Sequence, residues 1–161
     1  MVSAAFPCPS EIPAIFVRIR MTYDPGNVFA KVLRGEIPSF KIYENSETFA
    51  FMDIMPRSRG HALVIPKTAC RNGLDASPAQ LAACLVTVQT VARAAMAAFG
   101  APGVKIEQYN EAAAGQTVFH LHYHVLPCWE NVPLGPAGRM GDMERIKADA
   151  ALLSAELAKT A

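Results

Sequence analysis

The stretch Phe119-His120-Leu121-His122-Tyr123-His124-Val125-Leu126-Pro127 constrains this chain more than any other. It holds three of the four histidines, the fourth being His61. Strict polar–apolar alternation has the period of a β-strand, not of a helix. Successive strand side chains point to opposite faces, so the alternation predicts one face bearing His120, His122 and His124. The other face, with Phe119, Leu121, Tyr123 and Val125, is predicted to bury in a core. A sheet that receives this strand must cover one side and leave the other open to a ligand. Histidine titrates near neutral pH and binds metals, so three on one face point to chemistry rather than to a solvated surface.

The flanking sequence supplies the partners such a strand needs. Asn27 is placed to cap a short helix from Val28 to about Arg34, ended by Gly35. Phe29, Val32 and Leu33 share one face of it. Ser39–Tyr43 and Thr48–Asp53 read as a hairpin joined by a polar turn. His61 opens a strand over Ala62–Ile65. Ser77, Pro78 and Gln80 start a long helix that runs to about Phe99 and stops at Gly100. Leu81, Leu85, Val88, Val91 and Ala92 form its apolar stripe, read as core. Val104–Tyr109 alternates as a further strand. Asp142 caps a last helix to about Lys159, with Met143, Ile146, Ala150, Leu153 and Leu157 as its stripe.

At 161 residues the chain fits one domain, expected over 21–161 with a core at about 24–127 and a C-terminal tail and helix at 128–161. Residues 1–20 carry Pro7, Pro9 and Pro13 and place Arg18 and Arg20 late, an order unlike a secretory signal. They read as a flexible extension. Fifteen basic and 14 acidic residues give a net charge of +1, so no electrostatic drive toward nucleic acid or an anionic membrane is expected. Four scattered cysteines, Cys8, Cys70, Cys84 and Cys128, form no CxxC pair and suit free thiols in a cytoplasmic protein.

Two chemistries fit the histidine face. A catalytic zinc takes three protein ligands, but residues i and i+4 of one strand lie about 13 Å apart along the backbone. Three rings closing on one ion would strain a flat strand, so no metal is expected. The second chemistry uses the spacing directly. His122 has a histidine on each side, and an imidazole can attack phosphorus to form a covalent phosphohistidine. His120 and His124 can orient it or carry protons. Gly115, Gln116, Thr117 and Val118 can offer backbone N–H groups and a hydroxyl to an anion, with Asn110 a further donor. Asp53, at a strand end, reads as a turn former on spacing alone. Its carboxylate is also placed to accept from a sugar diol.

The run Gly115-Gln116-Thr117-Val118-Phe119-His120-Leu121-His122-Tyr123-His124-Val125 resembles the signature of the histidine triad (HIT) family, His-φ-His-φ-His-φ-φ. It is similar to the nucleoside phosphoramidate hydrolase branch. The likeness extends from about Asp24 to Pro127, through Val28-Phe29-Ala30-Lys31-Val32-Leu33, Phe51-Met52-Asp53-Ile54 and Gly60-His61-Ala62-Leu63-Val64-Ile65-Pro66-Lys67. It implies an α+β fold: an antiparallel sheet of about five strands with a long helix packed on it, joined into a homodimer with a continuous sheet. It implies a purine nucleotide substrate, such as an adenosine 5′-phosphoramidate, attacked at the α-phosphorus by His122. His120 would orient His122, while His124, Asn110, Gly115, Gln116 and Thr117 hold the phosphate side. Asp53 would bind the ribose hydroxyls, and Phe29, Val32, Phe51 and Ile54 the base. His61 would join the proton network. No cofactor is implied, and a dinucleoside polyphosphate hydrolase or a nucleotide-binding regulator with little turnover are the rival readings. Some members carry a Cys-x-x-Cys near the first helix that helps bind structural zinc. Asn27 and Ala30 stand at those positions here. The tail after Pro127 is similar to that of longer-tailed bacterial members, and in the family this region helps select the leaving group.

Overall fold

The computed structural model describes residues 22–159. The expected extension over residues 1–20 lies outside them. Five strands, β1 (Lys41–Glu44), β2 (Thr48–Met52), β3 (Ala62–Pro66), β4 (Gly103–Glu107) and β5 (Tyr123–Cys128), form one antiparallel sheet in the order β1-β2-β3-β5-β4. Helices α1 (Val28–Leu33), α2 (Pro78–Phe99) and α3 (Met143–Leu157) complete the α+β architecture. A 3₁₀ turn among the described residues covers Ala112–Ala114.

Alternation sorts the strand side chains into two layers. Ala50, Met52, Ala62, Val64, Tyr123 and Val125 point to the face covered by α2 and α3. Phe51, Leu63 and Ile65 point to the opposite face, where Phe29 of α1 packs on them. The register sets Leu63 beside His124, and His124 beside Glu107, so the second face carries the chemistry.

Local sequence fixes the helices as expected. Ser77 Oγ accepts from the Gln80 amide at 3.2 Å, and Gln80 Oε1 accepts from the Ser77 amide at 2.7 Å. This reciprocal cap satisfies two orphan donors at the start of α2. Gly100 ends the helix in the left-handed region, where a Cβ would be strained. The helix is also long and apolar enough, by length and composition, to cross a membrane. Here its apolar face packs on β3 and β5 and against α3. Asp142 caps α3 through the amides of Glu144 and Arg145, and Ile146, Ala150, Leu153 and Leu157 bury as read from the sequence.

Three expectations are corrected. Leu85 is 51 % exposed, because the buried face of α2 runs through Cys84, Thr87, Val88, Val91 and Ala95. That face falls one residue away from Leu85. The histidine strand starts at Tyr123, not Phe119, so His120 and His122 precede the sheet and do not share one flat face with His124. Phe119 is half-buried outside the core, with the Arg71 guanidinium 3.9 Å above its ring, a cation–π contact. Leu121 still reaches the core, held by its amide bond to the Cys70 carbonyl at 2.9 Å.

Candidate active site

His122 is the last residue before β5 and is 4 % exposed. Its Nδ1 lies 2.7 Å from the backbone carbonyl of His120. A carbonyl only accepts, so Nδ1 carries the hydrogen and Nε2 keeps its lone pair. Burial pulls the His122 pKa down, against the His120 carbonyl bond that favours the proton. The ring is therefore neutral at pH 7. Phe29 meets it edge-on with centroids 5.1 Å apart.

His120 acts on His122 through that carbonyl, while its own ring turns away. Its Nε2 donates to the Pro66 carbonyl at 2.9 Å, which leaves Nδ1 to accept from the Tyr23 hydroxyl at 2.7 Å. Burial lowers its pKa as well.

His61 and His124 form a directed pair, with His61 Nε2 2.9 Å from His124 Nδ1. The Arg57 amide donates to His61 Nδ1 at 3.2 Å. His61 therefore carries its hydrogen on Nε2 and donates it to His124 Nδ1, which puts the His124 hydrogen on Nε2. Burial, then the Arg57 charge, lowers His61 to about 4. Burial, then the neighbouring histidines His122 and His61, lowers His124 to about 3. The Ser58–His61 turn that sets His61 needs Gly60 at φ +76°, where a Cβ would stand 2.2 Å from the Phe99 ring.

Asp53 does two things. Its Oδ1 accepts from the Met55 amide at 2.8 Å, the turn role read from spacing. Its Oδ2 lies 3.5 Å from His61 Nδ1 and 4.0 Å from His124 Nδ1.

His122 and His124 are the histidines that line a mainly apolar cavity of about 440 Å³. Phe29, Val32, Phe51 and Ile54 line it, as do Asp53, Thr117, Val118, His122 and His124. Three residues expected on the phosphate side, Asn110, Gly115 and Gln116, do not line this cavity. Asn110 Oδ1 accepts from the Gly73 amide at 2.9 Å, and its amide group donates to Gln108 at 2.9 Å. Gln116 is 2 % exposed. Its Nε2 donates to the Arg71 and Val118 carbonyls, and its Oε1 accepts from Asn72 and the Glu111 amide. Both side chains anchor the loop because the loop's own buried backbone groups need partners. The Gly115 and Gln116 amides also bond inside the loop, to Ala112 and Glu111. Thr117 and Val118 are what this segment presents to the cavity.

Sequence reasoning missed four neighbours of the histidines: Tyr23, Arg57, Glu107 and Tyr109. Arg57 Nη1 and the Tyr109 hydroxyl both donate to Glu107 Oε2. Burial pushes the Glu107 carboxyl up, but Lys105, Tyr109 and Arg57 outweigh it and hold it at about 2. The one readable signal was a glutamate among the alternating residues of β4.

Asp53, His61 and His124 each offer one ligand atom within 4.8 Å. Two nitrogens on one tetrahedral zinc stand about 3.3 Å apart, given bonds of about 2.0–2.1 Å. The facing nitrogens of His61 and His124 are closer, at 2.9 Å, and share a hydrogen. Asn27 Oδ1 caps the Ala30 amide at 2.9 Å, so α1 offers a helix cap and a methyl group, and neither can act as a thiolate ligand.

This geometry has a family. The HIT domain model matches residues 34–131, and the chain belongs to the HIT family. A crystal structure of a Hit-like protein from Bartonella henselae, involved in cell-cycle regulation, superposes with a TM-score of 0.80 at 45 % identity. The match covers 83 % of this chain and 98 % of that one. A zinc-bound histidine triad protein of Mycobacterium smegmatis gives a TM-score of 0.76 at 36 % identity, over 84 % of this chain and 95 % of that one. The adenylylsulfatase HINT3 of Arabidopsis thaliana is 37 % identical over 100 residues, 62 % of this chain and 51 % of its own length.

Proposed function

We propose that this protein hydrolyses or transfers nucleotides at the α-phosphorus of nucleoside monophosphate conjugates, through a covalent nucleotidyl-His122. The observation that carries this reading is the His122 Nδ1 bond to the His120 carbonyl. It leaves a neutral Nε2 lone pair on a residue that lines an apolar cavity of nucleoside size. Asp53 Oδ2 is the acceptor for the ribose hydroxyls, Phe29, Val32, Phe51 and Ile54 enclose the base, and Thr117 and Val118 face the phosphate.

The lone pair of His122 Nε2 forms the bond to phosphorus. The bond from phosphorus to the leaving atom breaks, and its electron pair goes to that atom. His124 acts as an imidazolium: its Nδ1 takes a proton from water as the His61 hydrogen moves from Nε2 to Nδ1, beside Asp53 Oδ2, and the anionic substrate favours that charge. It hands its Nε2 proton to the leaving atom. Water then attacks the nucleotidyl-histidine, and its proton returns to His124. The nitrogen–phosphorus electron pair returns to His122, and a nucleoside monophosphate is released.

An adenosine 5′-phosphoramidate is the substrate to test first. The name of the Arabidopsis relative adds sulfate to the leaving groups worth comparing. His122→Ala is expected to abolish hydrolysis while nucleotide still binds. Undiminished turnover by that variant sinks the reading, and a wild type that binds nucleotide but turns over no conjugate favours a regulatory binder. The edge strand β4, with Ile106 40 % exposed, is the edge we propose for a homodimer with a continuous sheet.

A further inference from the structure

One polar side chain on the cavity wall has no part in the mechanism above. Asp53 is assigned to the ribose, Thr117 to the phosphate, and His122 and His124 to the reacting atoms. Ser39 lines the same cavity and is half-buried. No hydrogen bond among the described residues occupies its hydroxyl.

The direction of that hydroxyl follows from its neighbours. Phe40 and Ile42 pack into the core under α2 and α3. Side chains alternate along an extended chain, so Ser39 and Lys41 point to the opposite face, the one that carries Phe51 and Leu63. Strand pairing agrees. Lys41 is the cross-strand partner of Phe51, and the Phe40 carbonyl accepts from the Met52 amide at 3.0 Å. Continued toward the start of β1, that register sets Ser39 across from Asp53.

Strand order then places Ser39 along the substrate. His124 lies on β5, Asp53 follows β2 and Ser39 precedes β1, in a sheet ordered β1-β2-β3-β5-β4. From β5 to β1 is three strand spacings, about 14 Å. The order histidine, Asp53, Ser39 is the order phosphate, ribose, base of a nucleotide. At that far end Val28, Val32, Ile37 and Pro38 give apolar walls. A base that enters such walls gives up water at its polar ring edge, which costs free energy unless a partner replaces it. A hydroxyl both donates and accepts, so Ser39 can meet a ring nitrogen or an exocyclic amine.

We propose that Ser39 is a specificity-determining contact: its hydroxyl hydrogen-bonds the polar edge of the nucleotide's base, at the end of the cavity opposite the histidines. This rests on the reading of the cavity as a nucleotide site with its phosphate at His122.

The test is a cycle of two changes, one in the protein and one in the ligand. The full-length wild type and Ser39→Ala are titrated by calorimetry with adenosine 5′-monophosphate and with benzimidazole riboside 5′-monophosphate. The second ligand keeps the phosphate, the ribose and the fused ring shape, but its six-membered ring carries only carbon and hydrogen. Ser39→Ala is expected to weaken adenosine monophosphate binding about fivefold, within the range a neutral hydrogen bond supplies. The benzimidazole nucleotide should weaken by less than about twofold. On adenosine phosphoramidate, KM should rise about fivefold with kcat held within about twofold, as for a contact made equally in the ground and transition states. An equal loss for both ligands assigns the hydroxyl to the ribose or to the wall, and overturns the proposal. Undiminished binding of adenosine monophosphate overturns it too. Calorimetry needs no turnover. A wild type that binds adenosine monophosphate but hydrolyses no conjugate therefore refutes the nucleotidyl-transfer reading, while the cycle still decides the role of Ser39.

Discussion

Lowering the pH from 8 to 5 should destabilise this protein through its buried histidines, and a single substitution should remove a measurable share of that loss. His61 is held at about 4 and His124 at about 3, against about 6.5 for an unfolded histidine. Their folded pKa values are depressed, so between these limits the unfolded chain binds more protons than the folded one. Stability is therefore full above pH 6.5 and falls as pH drops toward 4 and 3. At pH 5 each group accounts for about 2 kcal/mol of loss, from about 1.5 pH units below 6.5 at about 1.36 kcal/mol per unit. Carboxylates with lowered pKa values, such as Glu107, lose stability only below their unfolded value of about 4.3, outside this window. Urea unfolding at pH 8, 7, 6 and 5 measures the effect on wild type and on His124→Asn. The pH 8-to-5 difference should shrink by about 2 kcal/mol in the variant. An unchanged difference refutes the claim that His124 is buried as a neutral ring.

Gly60→Ala should destabilise the fold by about 2–4 kcal/mol. It combines a strained backbone at φ +76° with a Cβ 2.2 Å from the Phe99 ring. Thermal unfolding checks this, and a loss under about 0.5 kcal/mol would show that the ring moves aside freely. Hydrolysis should be unaffected by a strong chelator, because the His61–His124 nitrogens share a hydrogen at 2.9 Å; loss of activity restored by added zinc would reverse that assignment.

The long helix was legible because its start and stop are written in side chains: Ser77, Pro78 and Gln80 before it and Gly100 after it. The pairing of His122 with His124 was legible for a similar reason. Residues two apart stay neighbours whether or not the strand has begun, and their ring centroids lie 5.0 Å apart. The turn of the His120 ring away from the cavity was not, because its partners Tyr23 and Pro66 lie 97 and 54 residues away in the chain. The loop contacts of Asn110 and Gln116 were not legible for a different reason. A polar side chain before a histidine run serves a phosphate or the loop's own backbone equally well, and only tertiary contacts choose. Here both serve the loop. Glu107 entered the site through strand register, since it is β4 pairing with β5 that sets it beside His124.

The central claim is that His122 Nε2 bonds to the substrate's phosphorus. Rapid quenching of enzyme with an adenosine phosphoramidate, followed by peptide mass mapping under alkaline conditions that preserve phosphohistidine, tests it most directly. An adenylyl mass increment is expected on the peptide containing His122, transient in wild type and absent from His122→Ala. Full turnover with no adduct on that peptide, or an adduct at another residue, would contradict it.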